Sequence, residues 1–147
     1  MLISLHDPMT SDCLFCKIIE KKIPAYVVRE DEHTLAFLDV QPRTTGHVIV
    51  IPKEHAPTIV ALSDNTVGPL FLAVKSVDEM LIWALQPDGV TIGINQGAAS
   101  GQEVQHLHVH LMPRWHGDKG SAVQSLVHNA PEESLEEIRK KILGNNN

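Results

Sequence analysis

Residues 101–114 read "GQEVQHLHVHLMPR", and inside that run His106, His108 and His110 alternate with Leu107, Val109 and Leu111. A period of two belongs to a strand, whose successive side chains point to opposite faces. On a strand the three imidazoles share one face, their Cα atoms about 6.6 Å apart per step, and the aliphatic residues share the other. On a helix His108 would point away from its two neighbours. The run predicts a strand over residues 104–112 with an apolar face for the core and a histidine face for chemistry. Two chemistries use such a face. One is a His-rich metal site, in which two strand histidines and a third ligand hold Zn²⁺ and activate water. The other is a nucleophilic histidine flanked by histidine donors that bind an anion.

The preceding residues favour the anion. Residues 95–103 read "NQGAASGQE", which brings Asn95, Gly97, Gly101 and Gln102 next to the histidine face. Glycines let backbone N–H groups approach a ligand with no Cβ in the way, which suits a phosphate.

Working outward, "AYVVRE", "TLAFLDV" and "HVIVIP" are apolar, β-branched runs separated by "DEH" and "QPRTTG". They predict three consecutive antiparallel strands. Between residues 64 and 84, Val67, Leu70, Phe71, Val74, Val77, Leu81 and Ala84 follow helical spacing, and Pro87, Asp88 and Gly89 end the segment. "VTIGIN" and the histidine run supply two more strands. A short N-terminal helix is predicted over "CLFCKIIEKK", capped by Asp12 and ended before Pro24. A C-terminal helix is predicted over about residues 131–143, with Pro131 at its start, acids early and bases late. The class is α+β: an antiparallel sheet of about five strands with one long helix and two shorter ones.

At 147 residues and 43% hydrophobic content the chain has the size of one domain. Residues 1–147 are read as that domain, with a core at about 12–115 and a tail at 116–147. A net charge of −6 and a pI near 5.8 leave no broad basic face for nucleic acid or an anionic membrane. No apolar run is long enough to span a bilayer, and "MLISLHDPMTSD" lacks the layout of a secretory leader. A cytoplasmic location is expected. Cys13 and Cys16, in C-x-x-C spacing, point to a metal or a redox pair, and no thioredoxin-like βαβ pattern surrounds them.

The stretches "CLFCKIIEKKIPA", "FLDVQPRTTGHVIVIPKEH" and "GINQGAASGQEVQHLHVHLMPR" resemble, in order, the blocks of the histidine-triad (HIT) nucleotide hydrolases and transferases. The signature His-φ-His-φ-His-φ-φ, φ apolar, reads here His106-Leu107-His108-Val109-His110-Leu111-Met112. The resemblance implies that His108 attacks the α-phosphorus of a purine nucleotide conjugate, giving a nucleotidyl-histidine that water hydrolyses. Phosphoramidates, acyl-adenylates and dinucleoside polyphosphates are the implied substrates. It implies that His110 contacts the α-phosphate, that Gly101 and Gln102 cradle it, and that Asn95 lies near it. Asp39 matches the ribose-binding carboxylate, and Phe15, Ile18, Ile23, Phe37 and Val40 the apolar slot for the base. One departure concerns Glu103, which stands where the Hint branch commonly has serine, so that an acid there either repels an anionic leaving group or donates a proton to it.

The resemblance further implies structural zinc on Cys13, Cys16, His55 and His106, with no catalytic metal. It implies a homodimer through the helix at 64–84 and the strand beginning at Val90, to which Leu72, Ile82 and Trp83 add apolar surface beyond one core-facing stripe. His47 matches a family histidine near the active site, whereas His6, His33, His116 and His128 are read as surface residues. The alternative to an enzyme is a nucleotide-binding regulator or scaffold with weak turnover. A hydrolase using all three triad histidines as zinc ligands is a third possibility.

Overall fold

The computed structural model describes residues 11–144. Helix α1, Leu14–Ile19, is capped by Cys13, whose sulfur accepts from the Cys16 amide at 3.4 Å. The cap is not Asp12: Cys13 is buried against the helix while Asp12 faces solvent. Lys21, at φ 61°, turns the chain out of the helix. Strands β1, Val27–Glu30, β2, Thr34–Leu38, and β3, Val48–Pro52, form an antiparallel meander. Asp31 makes the first turn, its Oδ1 accepting from the amides of His33 at 2.8 Å and Thr34 at 2.7 Å. Gly46, at φ 80°, makes the second, and a Cβ there would collide with Leu85.

Helix α2, Asp64–Leu85, lies across one sheet face. Leu70, Ala73, Val74, Val77 and Leu81 pack there against Val48, Val50, Leu107, Val109 and Leu111. Thr66 and Ala73 join the buried stripe, whereas Phe71 and Ala84, assigned to it by spacing, are exposed. The N-terminus of α2 is held by Glu54 from the loop after β3. The Glu54 carboxylate accepts from the Ser63 amide at 3.1 Å, the Ser63 hydroxyl at 2.7 Å and the Thr66 hydroxyl at 2.5 Å. A carboxylate suits the positive end of a helix, and these donors lower the Glu54 pKa.

Strands β4, Gly89–Gly93, and β5, Val109–Arg114, complete a sheet of five in the order β1-β2-β3-β5-β4, antiparallel throughout. β5 begins later than the alternation predicts, so His106 and His108 lie in the segment leading into it. Beyond Pro52 the chain leaves the sheet, and the Leu107 amide donates to Ala56 in that loop at 2.7 Å instead of to a ladder partner. The alternation of faces persists all the same. Leu107, Val109 and Leu111 are buried under α2, while Leu35, Phe37, Ile49 and Ile51 cover the other face with Cys13, Phe15 and Cys16.

After a 3-10 turn at Val123–Leu126 comes α3, Leu135–Gly144, none of whose residues is buried. It starts after Pro131 because Ser134 and Glu137 form a reciprocal cap. The Ser134 amide donates to Glu137 Oε2 at 2.9 Å, and the Glu137 amide donates to Ser134 Oγ at 3.3 Å. His33, His116 and His128 are exposed, and His6 and residues 145–147 lie outside the described residues.

Candidate active site and metal cluster

The histidine face is organised by which ring nitrogen each imidazole commits to the backbone. His108 is 6% exposed, and its Nδ1 lies 2.7 Å from the carbonyl of His106. A carbonyl only accepts, so Nδ1 carries the proton and Nε2 keeps a free lone pair. Phe15 fixes the ring edge-to-face, its centroid 5.2 Å away.

His110 gets its tautomer at second hand. The amide of Arg43, which only donates, lies 3.1 Å from His47 Nδ1. That nitrogen is therefore the acceptor, and His47 Nε2–H donates to His110 Nδ1 at 2.9 Å. His110 is left with its proton on Nε2, ready to donate to an anion. Burial lowers the pKa of His47 and, with His108 and His47 nearby, pushes His110 down to about 4, so both rings are neutral near pH 7. Asp39 Oδ2 lies 3.6 Å from His47 Nε2, beyond hydrogen-bond reach, while Asp39 Oδ1 accepts from the Gln41 amide at 2.8 Å.

His108 and His110 open into a groove of about 560 Å³ between α1 and the sheet. Phe15, Ile18, Ile23, Phe37 and Val40 line its apolar part, and Asp39, Asn95, Gly101 and Glu103 line it too. Gln102 does not. Its side chain is 7% exposed and ties the loop together: Oε1 accepts from the Gly97 amide at 2.8 Å, and Nε2 donates to the carbonyls of Pro57 at 2.7 Å and Val104 at 3.0 Å.

His106 turns the other way. Fully buried, it gives its Nε2 proton to the carbonyl of Pro52 at 2.8 Å. Its bare Nδ1 then faces Cys13 Sγ at 3.4 Å and Cys16 Sγ at 3.6 Å. His55 Nδ1 lies 3.3 Å from Cys16 Sγ, and all four ligand atoms lie within 4.8 Å of one another. In a tetrahedron built on metal–sulfur and metal–nitrogen bonds of about 2.3 and 2.0–2.1 Å, each S···N edge is about 3.6 Å. The donor set thus fits one tetrahedral ion. Burial and the neighbouring Cys13 push the Cys16 thiol up to about 12, so without a cation that thiol stays protonated and is a weak nucleophile. Among the described residues, His106, His108 and His110 do not converge on a common metal position.

The HIT domain family model matches residues 20–117. The chain belongs to the HIT family. It is 43% identical over 132 residues to an uncharacterised HIT-like protein of Methanocaldococcus jannaschii, covering 90% of this chain and 99% of that one. It is 37% identical to an adenosine 5′-monophosphoramidase of Schizosaccharomyces pombe, covering 76% and 80% of the two chains. An adenylylsulfatase of Arabidopsis thaliana is 35% identical, over 80% of this chain and 60% of that one. Of the solved structures, a HIT family member from Bacillus subtilis superposes with a TM-score of 0.81 at 33% identity, covering 92% and 95%. A zinc-bound histidine triad family protein from Mycobacterium smegmatis gives 0.70 at 34% identity, covering 88% and 90%.

In this HIT protein the resemblance singled out His47 as a histidine near the active site, but its partner, 63 residues away, is not announced by spacing. Glu54, beside His55, ties the loop after β3 to α2 through partners 9 and 12 residues on, which no local motif announces.

Proposed function

We propose that this HIT protein is a nucleotidyl hydrolase or transferase acting at the α-phosphate of purine nucleotide conjugates: nucleoside phosphoramidates, acyl-adenylates or dinucleoside polyphosphates. The relatives named as a monophosphoramidase and an adenylylsulfatase support that substrate class. The observation that carries the reading is the His108 Nδ1–His106 carbonyl bond at 2.7 Å, which turns Nε2 to the groove as the nucleophilic atom.

The base occupies the slot of Phe15, Ile18, Ile23, Phe37 and Val40, the ribose hydroxyls donate to Asp39, and Asn95 lies near the phosphate. His108 Nε2 forms a bond to the α-phosphorus as the bond to the leaving nitrogen or oxygen breaks. The leaving group departs with that electron pair and takes a proton at the groove mouth, where Glu103 and water are at hand. The imidazolium so formed keeps its Nδ1–H on the His106 carbonyl. His110 Nε2–H and the Gly101–Gln102 backbone stabilise charge growing on the phosphoryl oxygens. Gln102 acts by holding that loop. Water then attacks phosphorus, the N–P bond breaks back to His108, and the nucleotide leaves with a proton lost to solvent. No catalytic metal takes part.

Zinc on Cys13, Cys16, His55 and His106 is structural, joining α1 to the loop after β3 and to the segment before β5. The protein is a homodimer through α2 and β4. Leu72, Ile82 and Trp83 are exposed on the helix, Trp83 at 84%, and β4 is a sheet edge. The partner molecule is a small purine nucleotide, not nucleic acid or membrane, and the site of action is the cytoplasm. Among the described residues no helix is long and apolar enough to cross a membrane.

The test is AMP release from adenosine 5′-phosphoramidate, an acyl-adenylate and a diadenosine polyphosphate, with and without chelator. The reading expects chelator-insensitive turnover of at least one. AMP binding with no turnover of any would make the protein a nucleotide-binding regulator, and activity lost on chelation and restored by metal would make it a metallohydrolase.

A further inference from the structure

The loop after β3 is tied both to the metal cluster and to the loop that would cradle phosphate. His55 is one of the four cluster ligands, its Nδ1 lying 3.3 Å from Cys16 Sγ. The residues after it bond instead to the segment that runs from the phosphate loop into β5. The Ala56 carbonyl accepts from the Leu107 amide at 2.7 Å, and the Pro57 carbonyl accepts from Gln102 Nε2 at 2.7 Å. The Ile59 amide donates to Gln96 Oε1 at 3.0 Å. Toward α2 the same loop is held by Glu54.

Both glutamines also hold the phosphate loop itself. Gln102 Oε1 accepts from the Gly97 amide at 2.8 Å, and the Gln96 carbonyl accepts from Ser100 Oγ at 2.7 Å. Residues 96–102 lie between β4 and β5, outside the sheet, and take their position from one another and from residues 57 and 59. A tetrahedral ion on His55, Cys13, Cys16 and His106 fixes one end of that chain of contacts. In zinc-stripped protein the same ligands have only weak thiol–imidazole hydrogen bonds to one another. A phosphate that binds at Gly101 and Gln102 then has to order a loop that the ion otherwise holds, and this ordering lowers its affinity.

We propose that metal and nucleotide binding are allosterically coupled through residues 55–59, with Gln96 and Gln102 carrying the coupling to the phosphate cradle. Zinc on the cluster tightens AMP, and AMP tightens zinc by the same factor. The proposal rests on the zinc assignment and on the nucleotide reading, and it gives the ion a regulatory role besides its structural one. Gln96 lines neither the groove nor the cluster, so it acts as a positioning residue. Because the ion takes no part in bond making, turnover at saturating substrate survives chelation while KM rises.

The test titrates AMP and adenosine into zinc-loaded and zinc-stripped protein by calorimetry, and reads zinc affinity by competition with a chromogenic chelator at zero and saturating nucleotide. AMP should bind the zinc-loaded form at least about fivefold tighter, and saturating AMP should tighten zinc by the same factor. Adenosine, which lacks the phosphate, should show a clearly smaller factor. Phe15 packs against His106 and lines the groove, so an adenosine factor as large as that of AMP would put the coupling on the base slot and overturn the proposal. Gln96→Leu removes the acceptor of the Ile59 amide at an exposed position and should lower the AMP factor at least about twofold. Its zinc affinity without AMP should stay within about threefold of wild type, and Gln96→Glu, which keeps an acceptor, should retain the coupling. If loss of zinc unfolds the chain, AMP protects the ion in every variant alike, so equal factors in wild type and Gln96→Leu would overturn the proposal. Wild type that binds both AMP and zinc without coupling overturns this proposal alone. Absence of AMP binding overturns the nucleotide reading, absence of zinc overturns the metal assignment, and either takes the coupling with it.

Discussion

His106 and His108 stand two residues apart on the same face, and each gives one ring proton to a backbone carbonyl, but through opposite nitrogens. His106 donates from Nε2 to Pro52 and presents Nδ1 to two sulfurs, whereas His108 donates from Nδ1 to His106 and presents Nε2 to the groove. The residue type is identical and the strand period the same. The difference comes from which carbonyl lies within reach, and in the proposed reading it separates a structural ligand from a nucleophile. The pair His47–His110 extends the lesson, since there a backbone amide fixes the first ring and the first ring fixes the second.

The comparison breaks most sharply in the exchange of His108→Ala with His106→Ala. Loss of the nucleophile should cut turnover by several orders of magnitude, about 10³–10⁶, with AMP affinity within roughly tenfold of wild type. His106→Ala should act mainly through metal content and melting temperature. Equal losses of turnover with equal melting temperatures would erase the distinction. His110→Ala should lower kcat by about 10²–10³, as expected for a lost phosphoryl donor. His47→Ala should cost about 10–100-fold by releasing the His110 tautomer. If His47→Ala matches wild type in kcat and KM, the relay has no role.

Cys13→Ser with Cys16→Ser sharpens the structural side. The double variant should lose its zinc and about 5 °C or more of melting temperature while keeping part of its activity, read by metal analysis and thermal unfolding. Wild-type protein purified without metal would remove the zinc assignment. The smallest effect is on acid stability. His110 is held at about 4 in the fold against an ordinary value of 6.5, so the unfolded chain takes up its proton first. The stability it contributes is whole above about pH 6.5 and is lost as pH falls toward 4. The melting-temperature advantage of wild type over His110→Gln should therefore narrow across that window, and a constant gap would contradict the buried neutral ring.

Much of this was legible because it is written in local periods. The helix at 64–84, the three-strand meander and the face alternation of residues 106–111 each follow from spacing. The residues singled out for the nucleotide, Gln102 apart, line one groove. What was not legible depends on distant partners. The start of β5 at Val109 is set by the loop after β3, where Ala56 captures the Leu107 amide. The cap of α1 is Cys13 because its thiol turns toward both the helix and His106. Gln102 reads as a phosphate contact until its amide is seen bridging Gly97, Pro57 and Val104. The start of α3 was within reach, since Ser134 and Glu137 have capping-box spacing, but Pro131 was the more conspicuous signal.

The most direct measurement is where the nucleotide is captured. Wild-type protein mixed with an adenylated substrate should be quenched rapidly without acid, digested, and the peptides spanning residues 104–114 fragmented by mass spectrometry. The account predicts AMP on His108, through the nitrogen that the His106 carbonyl leaves free. An adduct on His106 or His110, or full activity in His108→Ala, would contradict it.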